Sequence, residues 1–126
     1  MQLFSIEIEQ NWNRFWFAYI LEFENKLSWR NLSRNPNITM NMIKDNPDKP
    51  WDWDNISSNP NITMDMISDN PDKPWNWKCI SRNPNLTIDI ITKNPDKPWD
   101  WFSVCQNDFM VDKLEFGHVH ERNVLK

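Results

Sequence analysis

Proline placement constrains this chain more than any other feature. All nine prolines fall in two turn motifs that recur with a period of 24 residues, and the one glycine, Gly117, lies outside them. Asn35-Pro36-Asn37-Ile38-Thr39 returns as Asn59-Pro60-Asn61-Ile62-Thr63 and as Asn83-Pro84-Asn85-Leu86-Thr87. Asn46-Pro47-Asp48-Lys49-Pro50-Trp51 returns at Asn70–Trp75 and Asn94–Trp99, again without insertion. A fixed period with fixed turn residues marks tandem units, each too small to bury its apolar face alone, that stack into one continuous core.

Each unit reads as two short helices separated by two turns. In residues 35–58, Pro36 presets φ in the first turn. Thr39 is a natural N-cap, with Ile38 and Ile43 at the flanking positions of a hydrophobic staple. Asn41 and its equivalents Asp65 and Asp89 fall in the first helical turn, where acids suit the positive end of the helix dipole. The helix stops near Asn46, because Pro47 restricts the residue before it. Pro50 suits the first position of the next helix, which carries Asp52, Trp53 and Ile56. That second piece, barely two turns long, is either α or 3₁₀.

The expected core stripe is Ile38, Met42, Ile43, Trp53 and Ile56, with their equivalents 24 and 48 residues on. On a helix, Trp51 points roughly 200° away from Trp53, so it packs over the prolines or lies at the surface. Asn35, Asn59, Asn83 and Asn107 hold the same register, and their amides suit backbone groups left free at the turns. Residues 1–26 read as a divergent N-terminal cap, with Asn11 capping a helix that packs Phe15, Trp16, Tyr19, Ile20 and Phe23 into the core. Units of 27–50, 51–74 and 75–98 follow. Residues 99–126 form a half-unit and a closing helix with Phe109, Met110, Val111 and Leu114. Such end units are expected to turn a polar face outward.

Composition narrows the function classes. Net charge is −4, so bulk electrostatics does not draw the chain to a polyanion. The first residues have no basic, apolar leader pattern, and the longest apolar run, Phe15 to Leu21, is too short to span a bilayer. Two cysteines, Cys79 and Cys105, do not make a disulfide framework and read as reduced thiols of a cytoplasmic protein. The five Asn-x-Ser/Thr triplets read as turn and cap chemistry. One glycine excludes a glycine-rich phosphate loop, and His118-Val119-His120 lacks a third ligand at metal spacing. No catalytic, cofactor-binding or metal-binding residue is assigned, and Asp48-Lys49 and its copies read as solvated turns.

Positions that differ between units mark the solvent side. Arg30, Asp54 and Lys78 share one register, and Arg34, Ser58 and Arg82 another. Arg30 with Arg34, and Lys78 with Arg82, are four apart and fall on one helix face. These residues form the candidate interaction face, with Asp54 interrupting the basic ridge.

The motif Asn-Pro-Asn-Ile-Thr…Asn-Pro-Asp-Lys-Pro-Trp-Asp-Trp, over residues 27 to 104, resembles tandem-repeat proteins of giant DNA viruses related to mimivirus. That resemblance implies an origin and a host-cytoplasm or virion setting, not a mechanism. The period and its alternating Asn-Pro turns are also similar to leucine-rich-repeat variant proteins, which alternate α and 3₁₀ helices. The present chain uses Trp, Met and Ile where those use leucine, and it lacks their cysteine cluster for an iron–sulfur centre.

The expectation is an all-α, short right-handed helical-repeat solenoid, single-domain and monomeric, with a protein partner and no enzymatic activity. A nucleic-acid-binding solenoid and a self-assembling virion component are the alternatives. Deleting residues 51–74 should leave a folded but less stable protein in denaturant melts. Deleting half a period should abolish folding, because the apolar stripe loses register.

Overall fold

A computed structural model describes residues 5–124. Among these residues there are nine α-helices, one 3₁₀ turn and no strand: α1 (Ile6–Leu21), the 3₁₀ turn (Glu24–Lys26), α2 (Trp29–Ser33), α3 (Met40–Asp45), α4 (Trp53–Ser58), α5 (Met64–Asp69), α6 (Trp77–Ile80), α7 (Ile88–Lys93), α8 (Trp101–Gln106) and α9 (Met110–Val124). The Thr-headed helices α3, α5 and α7 begin 24 residues apart, as do the Trp-headed helices α2, α4, α6 and α8. The Trp-headed pieces are α-helical.

Helices this short leave most of their end groups without internal partners, so side chains must supply them. Thr39, Thr63 and Thr87 accept from the backbone N–H of Met42, Met66 and Ile90 at the start of α3, α5 and α7. At the other end, the Nδ2 groups of Asn46, Asn70 and Asn94 donate to the carbonyls of Met42, Met66 and Ile90. The carbonyls of the same asparagines accept from the indole N–H of Trp51, Trp75 and Trp99 at 2.8–2.9 Å.

That indole bond relocates the core tryptophans. Trp51, Trp75 and Trp99 are buried, whereas Trp53 and Trp77 are half-buried and Trp101 is 58% exposed. Trp51 and its equivalents are thus the more deeply buried rings, while Trp53 and Trp77 pack only partly buried against the core and Trp101 lies largely outside it. The helix does not start at Pro50: Trp51 donates its backbone N–H to Lys49, Asp52 is the N-cap and Trp53 the first helical residue. Trp51 thus lies in extended chain, where a helical-wheel angle has no meaning, and its ring turns back over the turn. Each such ring meets the Trp of the preceding Trp-headed helix edge to face, at 5.1–5.2 Å between centroids. Most of the aliphatic part of the expected stripe is buried, with Ile38, Ile56, Ile62, Ile80 and Leu86 fully enclosed and Met40 and Met64 added to it, while Met66 and Ile91 are only partly buried.

Polar side chains join segments that lie about one 24-residue period apart. Asn59 donates from Nδ2 to the carbonyls of Ser33 and Asn35, Asn83 to those of Ser57, Asn59 and Ile62, and Asn107 to those of Ser81 and Asn83. Their Oδ1 atoms accept from the backbone N–H two residues on, closing the turns. Asn61 adds a bond to the Ile38 carbonyl, and Asn85 bonds those of Pro60 and Ile62. Ser33, Ser57 and Ser81, all fully buried, donate back to Trp29, Trp53 and Trp77 and accept from the N–H of Asp52, Asn76 and Asp100 in the next unit.

The ends depart from expectation. Ser5, not Asn11, caps α1, and Asn11 lies within the helix, accepting from Arg14. Phe17 is the buried aromatic, stacked on Trp51 at 6.2 Å, with Trp16, Ile20 and Leu21 partly buried beside it. Phe15, Tyr19 and Phe23 are exposed and form a surface file with Trp12, with centroids 5.4–6.4 Å apart. A helix apolar on several sides can seat only one of them, and residues 16, 17, 20 and 21 form the seated stripe. The closing helix α9 is present. Asp112 accepts from the Ile88 N–H at the head of α7, while Met110, Val111 and Leu114 stay exposed. Phe109 turns the chain into α9 at φ 49°, a left-handed conformation costing a side-chain-bearing residue about 1–2 kcal/mol. Its ring packs against the core, which offsets that cost.

Trp75→Ala should cost about 3–5 kcal/mol in denaturant melts, as for a buried Trp, and Trp101→Ala only about 0.5–1 kcal/mol. Asn83→Asp, which sets a carboxylate against three carbonyls, should cost about 3 kcal/mol or more.

Candidate interaction face

The Trp-headed helices α2, α4 and α6 pack directly on one another in that order, more closely than any other pair of described helices. Arg30, Asp54 and Lys78 are all exposed and occupy one row, one from each helix. Arg34, Ser58 and Arg82 occupy the neighbouring row at the helix exits, Arg34 and Arg82 exposed and Ser58 half-buried.

Local caps set the geometry. Ser28, Asp52 and Asn76 accept from the N–H groups of Asn31, Asn55 and Cys79, fixing where each helix begins and so which side chain lies outward. Asp100 caps α8 differently: its carboxylate accepts from the Ser103 hydroxyl at 2.8 Å, and that bond holds Asp100 below its ordinary carboxylate value.

The charges in the face alternate and are partly engaged. Arg30 Nε lies 3.9 Å from Asp52 Oδ2. Asp54 Oδ1 accepts from Asn76 Nδ2 at 2.7 Å, so the carboxylate in the middle of the row is held in place. The Arg82 guanidinium approaches Cys79 Sγ at 3.5 Å. Burial pushes the Cys79 thiol up from its ordinary value, and Arg82 draws it only partly back. A polyanion laid along this row meets a fixed acid between its two basic ends.

Sequence reasoning did not find that the row continues onto bare aromatic surface. In the 24-residue register Lys78 is followed by Phe102, 73% exposed, beside the exposed Trp101. Trp101 has no successor 22 residues on to close an edge-to-face pair, because position 123 is Asn. That missing partner was readable from the repeat. Among the described residues no group of three His, Cys, Asp or Glu side chains is placed to hold a metal ion. His120 Nδ1 lies 3.1 Å from the Phe116 carbonyl, one turn back on α9. No described helix is long and apolar enough to cross a membrane. Comparison of the chain with protein-family models, curated proteins and solved structures gave no match.

The thiol pair offers a direct check on this geometry. The thiolate is the reactive form, so a buried thiol with a raised pKa carries less of it at neutral pH. Iodoacetamide followed by peptide mass spectrometry should label exposed Cys105 first at neutral pH. Cys79 should follow only at higher pH or after unfolding.

Proposed function

We propose that this chain is a short right-handed helical-repeat solenoid, one domain over residues 1–126, that serves as a non-enzymatic module for protein–protein interaction or scaffolding. Residues 1–26 form its N-terminal cap, 27–50, 51–74 and 75–98 its repeats, and 99–126 its C-terminal half-repeat and cap. Hydrogen bonds between residues 24 to 26 apart in register support the solenoid reading. The resemblance of its turn motifs favours a giant-virus origin and a site of action in the host cytoplasm or virion.

One observation carries the functional reading: the row Arg30–Asp54–Lys78 mixes signs and ends on exposed Phe102. Protein surfaces that bind other proteins combine apolar patches with scattered charges of both signs. Phosphate tracks need continuous positive charge and lose affinity steeply with salt. The exposed aromatic file on α1 and the apolar residues of α9 favour a second reading, a self-assembling structural component. Sedimentation across a concentration range separates that from a monomer.

Titration with single- and double-stranded DNA and RNA should give no sub-micromolar binding at physiological salt. A protein retained from infected-cell extract by the wild type should be lost on Phe102→Ser with Arg30→Glu. Sub-micromolar nucleic-acid affinity that survives physiological salt and falls on Arg30→Ala with Arg34→Ala overturns the reading.

A further inference from the structure

The turn lysines form a row of their own: Lys49, Lys73 and Lys97, spaced 24 residues apart. The first is not the solvated turn residue expected. It is half-buried and donates to Glu24, in the 3₁₀ turn that follows α1. Glu24 lies 25 residues before Lys49. The residues at the same distance before Lys73 and Lys97 are Asp48 and Asp72, each one methylene shorter. Neither Lys73 nor Lys97 makes an ion pair among the described residues. Instead the Lys97 ammonium lies 5.3 Å from the centre of the Trp77 ring.

Both lysines line a groove of about 410 Å³, together with Trp75, Trp77, Pro71 and Pro74. Lys93 also reaches it, but its ammonium is already paired with Asp89 at 2.9 Å. The groove therefore combines two ammonium groups lacking counter-charges with aromatic rings and prolines.

We propose that this groove binds a glutamate-bearing peptide segment of a partner protein. The glutamate carboxylate takes Lys73 and Lys97, as Glu24 takes Lys49 within the chain, and a neighbouring apolar side chain lies against Pro71 and Pro74. The proposal rests on the protein-partner reading above and names the chemistry of the partner. Glutamate is the residue the chain itself sets against a turn lysine, at Glu24, whereas Asp48 and Asp72, 25 residues before Lys73 and Lys97, make no ion pair with them.

The experiment uses the full chain and a short fluorescein-labelled peptide alternating glutamate and leucine, read by fluorescence anisotropy. Its counterparts carry aspartate or glutamine in place of glutamate, and an unlabelled oligothymidylate serves as competitor. The glutamate peptide should bind best, and the double variant Lys73→Gln, Lys97→Gln should weaken it about tenfold, as expected for two partly screened ion pairs. Lys44→Gln, at an exposed position on α3, should leave it unchanged. Far-UV circular dichroism and a thermal melt verify that the double variant is folded. Because Lys73 and Lys97 are not core residues, a change there reports on the groove.

Equal binding of the glutamine peptide, or no loss in the folded double variant, overturns the proposal. So does displacement by oligothymidylate at lower concentration than by unlabelled glutamate peptide, which would make the groove a phosphate site. Failure here while an extract protein is still lost on Phe102→Ser with Arg30→Glu removes the groove and leaves the interaction-module reading standing. Salt-resistant nucleic-acid binding through Arg30 and Arg34 removes that reading itself.

Discussion

The structure depends on what one asparagine side chain does twice. In Asn83 the amide oxygen accepts from Asn85 N–H and closes the Pro turn, while the amide nitrogen donates to carbonyls of the preceding unit. An amide is the smallest side chain that offers a strong acceptor and two donors together. Turn formation and stacking are thereby set by the same planar group: if the turn opens, the donors lose their aim. The six-residue helices need this coupling, since they make few complete internal bonds and bury little surface each. Buried serine hydroxyls at Ser33, Ser57 and Ser81 repeat the pattern, each donating within its own unit and accepting from the next. Every buried side-chain nitrogen and oxygen among the described residues has a partner as a result.

Much of this was legible because turn chemistry is local. The Thr caps, the asparagine ladder, the Ile38–Ile43 pair and Ile56 follow from residue type and period. The deeper burial of Trp51 than of Trp53 was not legible, since it turns on whether Pro50 or Asp52 begins the helix. Both are good helix-start residues, and moving the start from one to the other decides which ring is extended and which is helical. The indole bond to the Asn46 carbonyl settles the choice, and it joins residues in no regular element. On α1 the difficulty was excess: with aromatic or aliphatic residues at 15, 16, 17, 19, 20, 21 and 23, periodicity alone did not select the seated side.

For the candidate site the row Arg30–Asp54–Lys78 was legible because it varies at fixed register. The lysine groove was hidden by the regularity of the repeat, which made Lys49, Lys73 and Lys97 look equivalent. They differ through Glu24, which lies outside the repeated motif, so the break in symmetry comes from the cap. The proposed interaction module thus owes its special positions to the two ends of the repeated segment. There the repeat meets α1 on one side and leaves Trp101 and Phe102 bare on the other.

The side-chain hydrogen bonds between units span at most 26 residues. A chain emerging from a ribosome therefore never waits for its far end. Once the second period has emerged, the amide of Asn59 can meet the Ser33 and Asn35 carbonyls, and the two segments order together. Folding can keep pace with synthesis. Unlike a sheet whose first strand must pair with its last, this chain closes its polar bonds between residues near in sequence, while the aromatic file of α1 stays exposed even when the fold is complete.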